Sequence, residues 1–158
     1  MNRILLEEML QKMKKDLIQG KEIGNLKIGA LYALGNQLDA IYYFMGHELS
    51  GVLEVEETIS SPIVPALEQI SNQYNLGKFI LVEEDREHIT FDLDRCNSCK
   101  DLTISKVKMP QGFCSFEAGL YAGLVEKMTG KHCFAQELEC RLQGTVDYCR
   151  FMIVIPQE

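Results

Sequence analysis

Apolar residues in the first half of the chain recur at helical spacing. Over residues 4–18, Leu6, Met9, Leu10, Met13 and Leu17 fall on one stripe, the i, i+3, i+4 pattern of an amphipathic helix. Lys12, Lys14 and Lys15 lie off that stripe near its C-terminal end, where the helix dipole favours cations. Gly20 follows as a left-handed stop. A second helix is expected over about residues 28–48, carrying Leu31, Leu34, Leu38, Ile41, Tyr42 and Met45. A third starts with Ser61 as N-cap and Pro62 at the first helical position, runs through Leu67 and Ile70, and stops before Gly77.

The period then changes. KFILVEE and HITFDLD read as two strands joined by a polar turn at Asp85 and Arg86. A helix at about 112–129 ends at Gly130, and strands near 132–140 and 147–155 finish the chain. Helices followed by two hairpins flanking a helix predict an α+β fold, an antiparallel four-stranded sheet packed against helices. The pattern predicts a single domain over 1–158, with a helical part at 1–75 and a sheet-bearing part at 78–155. No internal repeat, low-complexity run or long linker divides it.

A chain of 158 residues with 46% hydrophobic and 25% charged residues builds a core without needing disulfides. The net charge of −7 repels phosphate backbones and anionic lipid, and no Lys/Arg cluster offsets it, so no nucleic-acid partner is expected. Glu7 and Glu8 break the N-terminal apolar run, which argues against a signal peptide. The most apolar stretch, Ile28 to Gly46, contains Asn36, Gln37 and Asp39 and reads as a core helix, not a membrane span. A cytoplasmic, reducing location is expected, where the six cysteines are free thiols or metal ligands rather than disulfides.

Cys114, Glu137, Cys140 and Cys149 carry the sharpest chemical signal. Zinc takes thiolate, imidazole and carboxylate donors in a tetrahedron. A turn around 142–147 would set Cys140 across from Cys149, with Cys114 brought in by the first turn of the helix after the CxxC loop. Glu137 is three residues from Cys140, so on a regular strand the two face opposite sides. Both can point to one ion only across a bulge or bend. Glu139 is the weaker substitute. Four protein ligands would leave no open position, making the site structural. Lys131, Arg141 and Arg150 are the nearby cations in sequence that could offset its charge. The plain alternative is a set of ordinary buried cysteines.

The segment from Phe113 to Phe151 resembles the vinyl-4-reductase-type, or hydrocarbon-binding, domain family. The match runs through Cys114, Phe116, Gly119, Gly123, Gly130, the Glu-x-x-Cys of Glu137 and Cys140, Gly144, and Cys149 with Phe151. The turn from Gly144 to Cys149 is about one residue longer than the family's usual spacing. Over the first two thirds of the chain the resemblance rests on helix order and on glycines such as Gly29, Gly35, Gly46 and Gly77. The resemblance implies three Cys and one Glu as ligands in zinc-containing members, hence Cys114, Glu137, Cys140 and Cys149, holding one structural zinc per chain. It also implies a fold shared with vesicle-tethering and nitric-oxide-signalling ligand-binding domains, and an apolar or aromatic small molecule as ligand.

Cys96 and Cys99 form a CxxC. A redox pair should open a helix after a strand. This one follows FDLDR in a loop and reads as loop thiols, with a partial second metal site or capture of the first metal as the alternatives. Cys133 reads as core. His47, His88 and His132 are scattered, with His132 the one substitute ligand. Gly119 and Gly123 permit close packing, and the aromatics of the second and fourth predicted helices read first as core and second as walls of an apolar pocket. No dinucleotide fingerprint, phosphate loop or catalytic triad is present in the sequence. The function expected is a zinc-stabilised small-molecule-binding module, sensory or regulatory, forming a homodimer through its N-terminal helices. A reductase acting on a vinyl group and a scaffold or adaptor working through helix contacts are the alternatives.

Overall fold

A computed structural model describes residues 3–34, 38–54, 62–100 and 113–157. In chain order the elements are α1 (Arg3–Ile18), α2 (Gly24–Leu34), α3 (Leu38–Ser50), α4 (Ile63–Gln73), β1 (Lys78–Glu84), β2 (His88–Asp94), α5 (Ser115–Thr129), β3 (Phe134–Glu139), a short 3₁₀ turn (Arg141–Gln143) and β4 (Tyr148–Val154). The strands form one antiparallel sheet in the order β1-β2-β4-β3. This is the α+β arrangement the pattern predicts.

Local chemistry explains where the elements end. Gly20 adopts φ 70°, and the Gly20 and Lys21 amides donate to Leu17 O and Asp16 O, closing α1. Asn75, at φ 54°, ends α4 with a left-handed turn that Asn tolerates better than most side chains. The turn between β1 and β2 is held by Asp85, whose Oδ1 accepts from the Glu87 and His88 amides at 2.7 and 2.8 Å. Two boundaries differ from the pattern reading. The region read as one helix over 28–48 holds α2, which begins four residues earlier at Gly24, and α3, which begins at Leu38; residues 35–37 lie outside the described residues. The N-cap of α4 is Pro62, one residue beyond the expected cap; Ser61 lies outside the described residues.

Helix α5 is the centre of the core. Every residue from Phe116 to Val125 is buried, as for a helix covered on all sides. One side lies on the sheet, where Tyr121 meets Phe91 at 4.7 Å between ring centroids and Phe91 stacks on Phe79 and Phe151 at 4.6 and 5.5 Å. Another side lies on α3, and there the contact is backbone against backbone. A Cβ on Gly46 would land on the Phe116 carbonyl, and one on Gly119 on the Tyr43 carbonyl. Gly123 sits equally close to Ser50. The expectation that Gly119 and Gly123 serve close packing is met by α3. The N-terminal stripe also packs inward: Met13 and Leu17 are buried, and Met9 and Leu10 pack against the same core.

Gly119→Ala should therefore destabilise the protein by about 1–3 kcal/mol or more, the range for overpacking, because the obstacle is backbone and cannot rotate away. Gly130→Ala is the contrast. Gly130 has φ 68° and open space around it, so only the left-handed conformation opposes a side chain, at about 1–2 kcal/mol. Urea unfolding midpoints of the two variants test the ranking.

Candidate metal centre

Five thiols meet at the N-terminal end of α5. Cys96 and Cys99 lie in the turn after β2, where the Cys99 and Lys100 amides both donate to Cys96 O at 2.9 Å. Cys114 is the residue just before α5. Cys140 precedes the 3₁₀ turn, and the Gln143 side chain accepts from its amide at 2.9 Å. Cys149 is on β4, opposite Leu93. All five are buried and unpaired by disulfides. Cys114 Sγ stands 3.7 Å from Cys149 and 4.0 Å from Cys140, and Cys140 and Cys149 are 3.9 Å apart. Cys99 Sγ lies 3.0 Å from Cys114, 3.7 Å from Cys140 and 3.6 Å from Cys149. Cys96 is 3.6 Å from Cys114. Cys133 stays apart, beside Thr129 and the Lys131 carbonyl.

Glu137 reaches the same place by the route its spacing requires. The pairing of β3 with β4 shifts between Glu137 and Glu139, a bulge that lets Glu137 and Cys140 converge. Both Glu137 oxygens accept from the Cys114 amide, at 3.1 and 3.2 Å. Two overlapping groups of donor atoms, each within 4.8 Å of one another, result: Cys114, Glu137, Cys140 and Cys149, and Cys96, Cys99, Cys114 and Cys149. Glu139 and His132 belong to neither. At a zinc–sulfur distance of about 2.3 Å, a tetrahedral site has sulfurs about 3.8 Å apart. The observed spacings sit around that value, so the donor set fits a thiolate-preferring ion such as zinc or iron.

The electrostatics show how poorly the buried cluster tolerates several negative charges at once. Burial pushes the Cys114 thiol up, with the neighbouring thiols adding to the effect. Hydrogen bonds from Cys114 and Cys140 pull Cys149 down to about 6. Burial, then the charges of Cys140 and Cys149, raise Glu137 to about 9.

The cation beside the cluster comes from a part of the chain that sequence proximity did not indicate. Arg150 turns to the other face of β4, gripping Asp92 through two contacts at 2.7 and 3.0 Å. The buried cation is Lys27 of α2, wholly inaccessible. Its ammonium donates to Phe113 O at 2.8 Å and to Ser98 Oγ at 3.0 Å, lies 4.4 Å over the Phe113 ring, and stands 3.6 Å from Glu117. Ser98 in turn donates to Glu117. Burial alone would depress the ammonium; Glu117, helped by Cys114, Cys99 and Cys96, outweighs it and holds Lys27 above its ordinary value. A lysine inside the apolar run NLKIGALYAL, and a glutamate inside SFEAGLYAGL, were the signals available in sequence.

A second feature lies toward the other end of α5. A cavity of about 370 Å³ is bounded by Tyr43, Phe44 and Phe134, with His47 and His132 on its wall. Glu126 Oε2 stands 3.2 Å from His47 Nε2 and 3.2 Å from His132 Nδ1. Burial would raise the Glu126 carboxyl, but hydrogen bonds from His47, the Cys133 amide and His132 outweigh it and lower it. The Tyr43 hydroxyl accepts from the Ala135 amide at 3.1 Å.

Replacing Lys27 with Met strands the buried Glu117 carboxyl without its cation and should cost about 3–5 kcal/mol, the range for breaking a buried pair. Adding Glu117→Gln should recover part of that loss. Thermal or urea unfolding of the single and double variants checks both.

No protein-family model matches the chain. An uncharacterised protein of Methanocaldococcus jannaschii is 26% identical over 98% of this chain and 94% of its own length. Among solved structures, a vinyl-4-reductase family protein from Methanocaldococcus jannaschii is 19% identical, covering 82% of this chain and 74% of that one, with a TM-score of 0.51. The phenol-responsive sensory domain of the transcription activator PoxR, solved with phenol, is 17% identical, covering 84% and 72%, with a TM-score of 0.61. A trafficking protein particle complex subunit 3 from Naegleria fowleri, covalently bound to palmitic acid, is 12% identical, covering 97% and 94%, with a TM-score of 0.55. The chain thus has the fold shared by a vinyl-4-reductase family protein, a sensory domain and a trafficking subunit, in keeping with the resemblance carried by Phe113 to Phe151.

Proposed function

We propose that this chain is a metal-stabilised module that binds a small apolar or aromatic molecule in a sensory or regulatory role. The cavity beside Tyr43, Phe44 and Phe134 carries the reading. Its volume lies within the range of about 300–1,000 Å³ usual for ligand sites, and its walls are aromatic with a few polar groups at one end. The phenol-responsive domain of the same fold was solved with phenol. His47 and His132, tied to Glu126, would orient a hydroxyl or carboxylate, while the rings would hold the apolar body.

The thiol cluster is the module's staple in this reading. Cys114, Cys140 and Cys149 are three ligands of one structural zinc, with Glu137 or Cys99 at the fourth corner. The scaffold reading has less support, because the described members of the α1 stripe pack into the chain's own core. Among the described residues no helix is long and apolar enough to cross a membrane.

Elemental analysis of tag-free protein should find about one zinc per chain, and Cys140→Ser should lose the metal together with much of the stability, since structural zinc contributes about 10–16 kcal/mol in small zinc-finger peptides. Metal-free wild type with an intact fold would remove the staple from the proposal.

Phenol, toluene and palmitate form the first ligand panel. A binder present at about 100 times its Kd should stabilise the native state by about 2.7 kcal/mol and raise Tm. Phe134 is 57% exposed, so Phe134→Arg should abolish that rise with little change in the Tm of the ligand-free protein. No shift with any of the three would favour the scaffold. Consumption of NAD(P)H with a vinyl substrate would favour the reductase.

A further inference from the structure

We infer that the metal centre is held by four thiolates, with Cys99 rather than Glu137 as the fourth ligand. The inference rests on the metal centre proposed above and deepens it by assigning the contested corner. Cys99 is the one thiol of the CxxC turn whose sulfur lies within 3.7 Å of all three shared thiols, Cys114, Cys140 and Cys149. Of the six edges joining these four sulfurs, five measure 3.6 to 4.0 Å and bracket the roughly 3.8 Å of a tetrahedral zinc–thiolate site. The sixth, Cys99 to Cys114, is shorter at 3.0 Å.

The same distances argue for one ion and not two. The two overlapping donor groups share Cys114 and Cys149, the pattern two ions would use if those thiolates bridged them. With metal–sulfur distances of about 2.3 Å, the end ligands of such a pair stand roughly 6 Å apart across it. Cys99 and Cys140 would be end ligands on opposite ions, yet they are 3.7 Å apart. That separation places both on one ion.

Glu137 already has a partner. Both of its oxygens accept from the Cys114 amide, so the carboxyl holds a ligand's backbone in place from one step outside the ion. Lys27 stands with the thiols of Cys114, Cys99 and Cys96 and offsets part of the charge of a four-thiolate site. Assigning Cys99 also ties more of the protein to the metal. Its turn holds Asn97, which accepts from the Ile23 amide at 3.1 Å and donates to the Lys21 and Asn75 carbonyls, and Ser98, which links Lys27 to Glu117. The ion would thereby fasten the start of α2 to the sheet.

Zinc-edge X-ray absorption on the zinc-loaded full chain counts sulfur neighbours directly. Cobalt(II) reconstitution of wild type, Cys99→Ser, Cys96→Ser/Cys99→Ser and Glu137→Gln reads the thiolate-to-cobalt band. The expected result is four sulfurs in wild type, a band reduced by about a quarter in Cys99→Ser, and four sulfurs with an unchanged band in Glu137→Gln. Three sulfurs plus one oxygen in wild type, with a spectrum that moves in Glu137→Gln, would overturn the assignment of Cys99 while leaving the metal centre intact. A band lost only in the double variant would give the corner to either thiol of the pair and overturn the assignment to Cys99. Wild type that binds neither zinc nor cobalt would overturn the centre itself. Should Cys99→Ser fail to fold, the sulfur count of wild type and the cobalt band of Cys96→Ser decide together: four sulfurs with a band unchanged in Cys96→Ser keep the assignment, and a band reduced in Cys96→Ser overturns it.

Discussion

The backbone-to-backbone crossing of α3 and α5 sets the position of the two groups at either end of α5 that carry chemistry, Cys114 and Glu126. Gly46, Gly119 and Gly123 remove the side chains that would hold the two helices apart, and α5 is then enclosed between α3 and the sheet. Ten consecutive buried residues leave it no solvent face along which to slide. Because α5 cannot shift, Cys114 at its start and Glu126 near its end are fixed relative to β3, β4 and α3. Packing places the chemistry here, and the polar groups then hold what packing has placed.

At the start of α5 that order matters, because the groups gathered there are costly to bury alone. Five thiols, two carboxyls and a lysine occupy a water-poor seam between α2, α5 and the sheet. Each buried charge needs an opposite one nearby. Lys27 answers Glu117, and the Cys114 amide answers Glu137. The thiols face one another, with Lys27 on one side of them and one separation of 3.0 Å that is close even for sulfur in contact. A divalent ion would resolve this crowding, since it would turn mutually repelling thiolates into ligands of one centre.

Much of this was legible in sequence, and the reasons differ residue by residue. The hairpins and the buried helix between them follow from period-2 and apolar runs bounded by Asp85, Gly130 and Gly144. The need for a bulge between Glu137 and Cys140 follows from strand geometry, and the register shift supplies it. Cys114, Cys140 and Cys149 converge as spacing and the family resemblance together indicated. Cys96 and Cys99 read as loop thiols, a partial second metal site or a capture site for the first metal, because a loop thiol's destination depends on how the loop folds back. Lys27 was hidden for a similar reason. Its partners Ser98 and Glu117 are distant in sequence, so only the tertiary fold makes a pair of them. Arg150, adjacent to Cys149, alternates to the opposite face of its strand and meets Asp92 instead.

The thiol cluster and the aromatic cavity lie toward opposite ends of α5. Cys114 and Glu126 are separated by about 18 Å along α5 at 1.5 Å per residue. A molecule entering beside Tyr43 and Phe134 would press on α3 and the His47–Glu126–His132 group without touching a metal ligand. Filling the cavity would then change the contact between α3 and α5, whose backbones already touch and have no slack to absorb a local displacement. A metal at the thiol cluster would keep the other end of α5 fastened to β3 and β4, so the strain would move α3 rather than the sheet. With such a clamp at one end of α5, a ligand at the other end would be felt first by α3, the helix that the glycines bring into direct contact with it.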